Sequence, residues 1–451
     1  MKVKFTPLAL AASLLFSGAA QAQSAADLQA AAERAMRAAE VAIKAANEAR
    51  AAAEQAQAAL AQAQAAAAQM AATPPTPKKP EPAGDGGPGL RYQVGANFLQ
   101  VYGLLDVTLS HVDHLTAAGD SRTSFHPTPW FSGSRWGITG QHDLGDKLRA
   151  IFRLESEFVT NTGEEDAAGI LFGRDAWAGF EHDDFGKLSL GRQNALGRDI
   201  IAGYLDPYGA AKASTAEGGG TNTNNFKQMI FYGGSATGTR YDRGVVWKKV
   251  FDSGLVAGLG YQFGGVPGAF STGSTKTGAL AFNGGAFNIA GFAQTANVNN
   301  LTHESYSIGG NVQLGLFRVN AGYFHYTAEQ GKAGAAGKRK DNAYTVSTTF
   351  APGGKIDYQL GYQIMDAKHA GITGSGATAN VRNAYADTSA IVNTIDGKRK
   401  TLYGSVFYHF DRQTEVYLAA DKLNMTGGYR QSGAAGFLDQ TEFGAGLRFR
   451  F

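Results

Sequence analysis

From about Phe98 onward this chain repeats one local pattern. Short runs of alternating apolar and polar residues follow one another, and none is long and apolar enough to cross a membrane as a helix. The last run, FGAGLRFRF, shows the pattern plainly. Phe443, Ala445, Leu447, Phe449 and Phe451 share one parity, while Glu442, Gly444, Gly446, Arg448 and Arg450 share the other. Alternate side chains of a strand point to opposite faces, so such runs ask for a sheet with one greasy and one wet face. A soluble sandwich or a membrane barrel satisfies that demand. The connections favour the barrel: tight turns at DLG (143–145), DDF (183–185), GG (284–285), APGG (351–354) and DR (411–412) alternate with longer polar segments. Membrane barrels turn tightly on one side and carry long loops on the other.

Strands are expected near 98–112, 133–142, 146–159, 172–182, 186–193, 241–251, 254–263, 276–283, 286–296, 303–314, 316–327, 342–350, 355–366, 400–410, 413–423 and 441–451. That is about sixteen, with boundaries good to a few residues. An even number returns the chain to its starting side and lets the last strand pair with the first, removing free edges. QMIFYG (228–233) is placed inside the third long connection, because counting it as a strand would reverse the long and short order of every later hairpin.

The region before the barrel has different physics. MKVKFTPLALAASLLFSGAAQAQ reads as a secretory signal, residues 1–22, with cleavage after Ala22. Residues 23–72 are alanine-dominated and lack glycine and proline, with Glu33 and Arg37, then Glu40 and Lys44, at helical spacing. A seam from Leu28 through Ala46 and Leu60 to Met70 keeps heptad spacing, which predicts a coiled coil. Residues 73–89, rich in proline and glycine, predict an extended linker, and 90–451 the barrel. The absence of cysteine suits passage through an oxidising periplasm. Net charge falls from +3 to +1 once Lys2 and Lys4 leave with the signal, so nucleic acid is not an expected partner.

Chemistry-bearing motifs are sparse. His111, Asp113 and His114 are too loosely spaced to predict a metal site. Glu155 and Glu157 share a strand face without an identifiable nucleophile or positioned base, and the glycine pairs form no phosphate-binding loop. No catalytic residue and no cofactor is expected.

VYGLLDVTLSH (101–111), SRWGITGQHDLGDKLRAIFRLESEF (134–158), FGRDAWAGFEHDDFGKLSLGRQ (172–193), KRKTLYGSVFYHFDRQTEVYLAADK (398–422) and the closing GLRFRF resemble the general diffusion porins of Gram-negative outer membranes. The resemblance implies a trimer of 16-stranded, water-filled barrels, each narrowed by an inward-folded third loop, here within 194–240. It carries the family's basic wall onto Arg135, Arg174 and Arg192. The alternation alone adds Arg149 and Arg153, which share a face with Glu155 and Glu157. Arg192 has the parity of Leu188 and Leu190, so a bulge or a subunit contact is required there.

Acidic candidates in the third loop are Asp199, Asp206 and Glu217, with Asp206 in YLDPYG where the family places a different run. Expected partners are two further copies, outer-membrane lipid and lipopolysaccharide, the barrel assembly machinery reading Phe451, and peptidoglycan through the N-terminal helix. The expected function is passive diffusion of ions and small hydrophilic solutes. A substrate-selective channel and an envelope anchor are the alternatives. Trp177 and Trp247 are candidates for an interfacial aromatic belt.

Overall fold

The computed structural model describes residues 89–114, 118–126, 129–205, 225–298, 300–329, 338–369, 396–429 and 439–451. The expected signal, the Ala-rich helix and nearly all of the linker lie outside them.

Eighteen strands are present among the described residues: β1 (Arg91–Val94), β2 (Asn97–Val112), β3 (Arg122–Phe125), β4 (Ser134–Gly145), β5 (Leu148–Phe158), β6 (Asp175–His182), β7 (Gly186–Asn194), β8 (Arg240–Val250), β9 (Leu255–Gln262), β10 (Thr275–Asn283), β11 (Phe287–Val298), β12 (Leu301–Leu314), β13 (Phe317–Ala328), β14 (Arg339–Phe350), β15 (Ile356–Lys368), β16 (Gly397–His409), β17 (Thr414–Gly427) and β18 (Asp439–Arg450). From β4 onward each strand pairs antiparallel with the next, and β2 joins β18 to β4. Sixteen strands therefore close a ring, which leaves no long free edge. The two additional strands are short. β1 pairs with Asn97–Gln100 and β3 with Leu109–Val112, each filling a stretch of β2 that its main neighbour leaves open.

Alternation sorts the two faces. On β18, Phe443, Leu447 and Phe449, and Phe451 just after it, are exposed on the outside, whereas Glu442 and Arg448 are buried within. On β12, Tyr306 and Ile308 point out and Ser305 and Ser307 point in. Among the described residues no helix is long and apolar enough to cross a membrane.

Tight turns gather at one end of the ring. Between β4 and β5, Asp146 and Lys147 both take positive φ (47° and 64°), the geometry that matches strand twist in a two-residue hairpin. At the opposite end the connections are mostly longer. One departs from the sequence expectation: β11 ends at Val298 and β12 begins at Leu301, where the pattern predicts a longer segment over 297–302. Asn297 Oδ1 accepts the Asn300 backbone N–H at 3.0 Å, and Asn300 has φ 67°, so asparagine chemistry closes a tight turn.

Two connections fold inward. The third begins with a short helix, Leu196–Ile200, continues as a wider helical turn, Ile201–Leu205, and returns as a 3-10 helix, Asn225–Gly233. QMIFYG forms the second part of that return, not a strand. Leu196, Ile201, Leu205, Met229, Ile230, Phe231 and Tyr232 are all buried, so the barrel holds an apolar core where its wall alone would leave water. Glycines make room for it: a Cβ on Gly322 would lie 3.0 Å from Leu205 Cβ, and one on Gly258 3.3 Å from both Leu196 methyls.

The second inward segment is the end of the first connection, which the sequence pattern does not foretell. Trp130, Phe131 and Ser132 are buried against the inner faces of β2, β16 and β17. Phe131 sits between Phe407 and Tyr417, with ring centroids 4.7 and 4.8 Å away. Ser132 N–H donates to Asp106 Oδ2 at 3.0 Å.

Candidate functional site

The inner wall of β4 to β8 carries a dense ionic network. Arg135, Glu155 and Arg153 face inward because their register neighbours do: Arg135 pairs with Glu157 across β4 and β5, and Arg153 with Trp177 across β5 and β6. Arg174, just before β6, donates to both Glu155 and Glu157. Arg135 Nε lies 3.7 Å from Glu155, and Arg153 Nη1 lies 3.7 Å from Asp175. The Tyr102 hydroxyl donates to Glu155 Oε2 at 2.7 Å. Arg240, buried at the start of β8, lies within electrostatic reach of Arg174, Glu157 and Asp175. Four guanidiniums, Arg135, Arg153, Arg174 and Arg240, thus stand with three carboxylates, Glu155, Glu157 and Asp175. Arg135 is 0% exposed and Arg174 4%, so these two guanidiniums are built into the wall rather than lying open on it.

The other basic candidates lie elsewhere. Arg149 is near the tight-turn end, 3.5 Å from Glu181 and 2.7 Å from Asp183. Arg192 does not join the network. The register slips between Gly191 and Gln193, leaving Arg192 opposite Ala176 on the outer face, where it bonds the Gly173 carbonyl at 2.7 Å and Asp242. A bulge does intervene, but its extra residue lies on β8 between Tyr241 and Gly244, so β7 keeps its alternation with Gln193 inside and Arg192 outside.

Of the acidic candidates, Asp199 sits on the first loop helix, beside Arg198 at 3.7 Å and ion-paired to Lys248 of β8. Burial raises its affinity for a proton, but Lys248 and Arg198 outweigh this and hold the carboxyl below its ordinary range. Asp206 and Glu217 lie outside the described residues. Trp177 faces inward with Arg153 and Asp175 and carries Lys187 Nζ 3.6 Å from its ring centroid, so it is not part of an outer belt. Trp247 does face outward, its indole N–H donating to the Phe185 carbonyl at 2.8 Å. His111 bonds Thr123, and among the described residues no group of His, Cys, Asp and Glu could hold a metal ion.

Sequence reasoning missed Tyr102, Asp175, Lys187 and Arg240. Asp175 and Lys187 were within reach, since each keeps step with an inward residue of its own strand. Arg240 was not, because it starts a strand at a loop junction where parity has no anchor.

Farther round the ring, the loop is tied to the wall by Tyr232, whose hydroxyl donates to Asp341 Oδ2 at 2.8 Å. Arg339 grips the same carboxylate at 2.7 and 2.8 Å and reaches the Tyr429 hydroxyl at 2.8 Å. Arg448 and Arg450 both bond Glu415, which His409 also contacts at 2.7 Å.

A closed antiparallel ring with an apolar exterior, a charged interior and a loop folded across the inside defines a membrane channel. Residues 49–428 match the family model of Gram-negative porins, and the chain belongs to that family. An outer membrane porin protein of Bordetella pertussis is 27% identical over 350 residues, covering 71% of this chain and 83% of that one. Outer membrane porin protein 32 of Delftia acidovorans is 26% identical over 359 residues, covering 78% and 93%. Among solved structures, an anion-selective porin from Comamonas acidovorans superposes with a TM-score of 0.61 at 22% identity, covering 79% of this chain and all of that one. OmpT of Vibrio cholerae gives 0.55 at 16% identity, covering 80% and 100%. The molecule is an outer-membrane channel, and fold and family point away from catalysis.

Proposed function

We propose that the channel is a trimeric diffusion pore, with a preference for anions, whose narrow part lies between the β4 to β8 wall and the inward-folded third loop. The single observation carrying this is the wall itself: four guanidiniums against three carboxylates, with Lys187 beside them and Lys248 paired to Asp199 of the loop, leave the described inner surface of that wall net positive. The Comamonas porin, which shares the fold, is anion-selective. A narrow, low-dielectric passage amplifies a small imbalance, because the few groups at the constriction outweigh net charge elsewhere. Arg135, Arg153 and Arg174 supply the basic side and Asp199 one acidic group of the loop side; Asp206 and Glu217 are further loop acids of this proposal. Arg149 acts at the mouth, on the tight-turn side.

The trimer follows the assembly named for one Vibrio relative. Outward lysines near the long-loop end provide contacts for lipopolysaccharide phosphates: Lys340 stands directly opposite Lys368, with Lys398 and Lys400 on the next strand but one, β16. Phe451 serves as the signal for the assembly machinery, and residues 1–22, 23–72 and 73–89 act as export signal, trimeric coiled coil toward the peptidoglycan, and linker.

Purified trimer in planar bilayers, with a potassium chloride gradient across the membrane, tests the pore. Step conductances with a reversal potential of anionic sign are expected. Folded trimer that conducts nothing, or conducts cations preferentially, refutes the reading. Deleting Phe451 is expected to cut the yield of inserted protein while leaving the conductance of each inserted pore unchanged.

A further inference from the structure

Most described cations of the inner wall have a carboxylate of their own. Arg135 and Arg174 share Glu155, Arg153 has Asp175, Arg149 has Glu181 and Asp183, Lys248 has Asp199, and Arg339 has Asp341. Lys187 differs. It is half-buried on β7, directly opposite Glu181 on one side and Lys248 on the other. Yet among the described residues no carboxylate oxygen lies within ion-pair distance of its ammonium; its partner is the Trp177 ring, 3.6 Å from centroid to Nζ. Glu181, the nearest acid in register, is turned to Arg149 instead.

The chemical difference is consequential. A carboxylate cancels an ammonium's field at any distance beyond the pair, whereas an aromatic ring holds the ammonium through its quadrupole and supplies no opposing charge. The same ring fixes a flexible four-carbon chain that would otherwise swing toward Glu181. Lys248 alongside is paired with Asp199, so of the two neighbouring lysines Lys187 is the one without a carboxylate partner.

We infer that Lys187, held by Trp177, is the residue that sets the anion preference of the pore, favouring small anions such as chloride and simple carboxylates. This deepens the proposed diffusion function and rests on it. Arg135, Arg153 and Arg174, tied to Glu155, Glu157 and Asp175, shape the passage and contribute little net charge of their own, and the fourth guanidinium, Arg240, is buried at the loop junction that starts β8.

The test measures the chloride to potassium permeability ratio from reversal potentials of intact trimer in a potassium chloride gradient. Removing one unit charge about 5 Å from a passing ion, at the dielectric constant of water, changes the occupancy of an anion and of a cation about fourfold each in opposite senses, and so their ratio on the order of tenfold. Lys187→Gln is therefore expected to lower the ratio on the order of tenfold, and Lys187→Arg to keep it. Lys147→Gln, which removes an equal charge from an exposed turn where Lys147 pairs with Asp184 at 3.0 Å, is expected to leave it unchanged. Trp177→Leu removes no charge but frees the lysine to reach Glu181, so it too is expected to lower the ratio. Heat-modifiable migration of each variant establishes that the barrel has folded. A ratio for Lys187→Gln that matches Lys147→Gln, or an unchanged ratio for Trp177→Leu, overturns the inference. A wild-type pore that prefers cations instead refutes the diffusion reading beneath it, and the two failures are distinguishable.

Discussion

The third loop is held inside the barrel by a backbone contact that allows no side chain. Gly233, at the end of the 3-10 helix, lies against Gly197 in the first loop helix; a Cβ on Gly233 would stand 2.5 Å from Arg198 N and 2.7 Å from Gly197 O. Ordinary contact needs about 3.4 Å or more, so the two segments must part by roughly 1 Å, and neither obstacle is the end of a flexible side chain. Overpacking of this kind costs about 1–3 kcal/mol. Against it stand Leu196, Ile201, Leu205, Met229, Ile230, Phe231 and Tyr232, all buried, each contributing about 1.5–3 kcal/mol at most. Gly233→Ala is therefore expected to keep the loop inside but shifted. Gly233→Val, with two further methyl groups directed at backbone, is expected to disengage the 3-10 helix. The ring, whose wall bonds are untouched, should still form. Single-channel recording and limited proteolysis from the long-loop side read this out: Ala gives a small conductance change with added flicker, Val a larger one with new cleavage sites in the loop. A Val variant with wild-type conductance, a quiet open level and an unaltered cleavage pattern would refute the claim that this glycine contact positions the loop.

Two other expectations come from the ionic groups. Arg174→Met leaves Glu155 and Glu157 short of their shared guanidinium in a buried setting and should cost about 3–5 kcal/mol, measured as a lower temperature for loss of the folded electrophoretic form. Asp199 has a folded-state affinity for protons below its unfolded one, so its contribution to loop stability is present above about pH 4 and is lost as pH falls through the lowered value. Loop flicker should therefore rise on acidification, and Asp199→Asn should show raised flicker at neutral pH with a weaker pH response; an unchanged acid response in that variant would remove Asp199 from the account.

The wall was legible because barrel strands announce themselves locally. A two-residue period, tight turns at DLG and DDF, and the FGAGLRFRF run each carry their meaning within about ten residues. The sixteen expected strands lie within a few residues of those that form the ring, and QMIFYG stays out of the sheet as the order of long and short connections requires. What stayed hidden depends on partners distant in sequence. Tyr232 meets Asp341 across 109 positions, and nothing local to either marks the bond. Arg192 faces outward as its step with Leu188 and Leu190 requires, because the register slip places its extra residue on β8, between Tyr241 and Gly244, and leaves the alternation of β7 intact. Trp177 suggests a belt by its residue type, while its step with Asp175 places it inside. The inward course of Trp130 and Phe131 rests on rings supplied by β16 and β17, more than 270 positions later, and no periodicity inside a loop foretells that.

The seam on β2 has a consequence for biogenesis. Every other barrel pairing joins strands that are consecutive in the ring and close in the chain, so those hairpins can form in the order of synthesis. β2 alone must wait: Gly103 exchanges both backbone hydrogen bonds with Phe451, at 2.9 and 3.0 Å, and neither exists until β18 has been made. Until then the growing sheet has two raw borders, one at β2 and one at whichever strand was made last, both able to recruit a stranger. Escort to the membrane in an unclosed state is thus a requirement of the connectivity itself, and a chain stalled short of β18 is expected to accumulate as an adhesive open sheet rather than as a leaky pore.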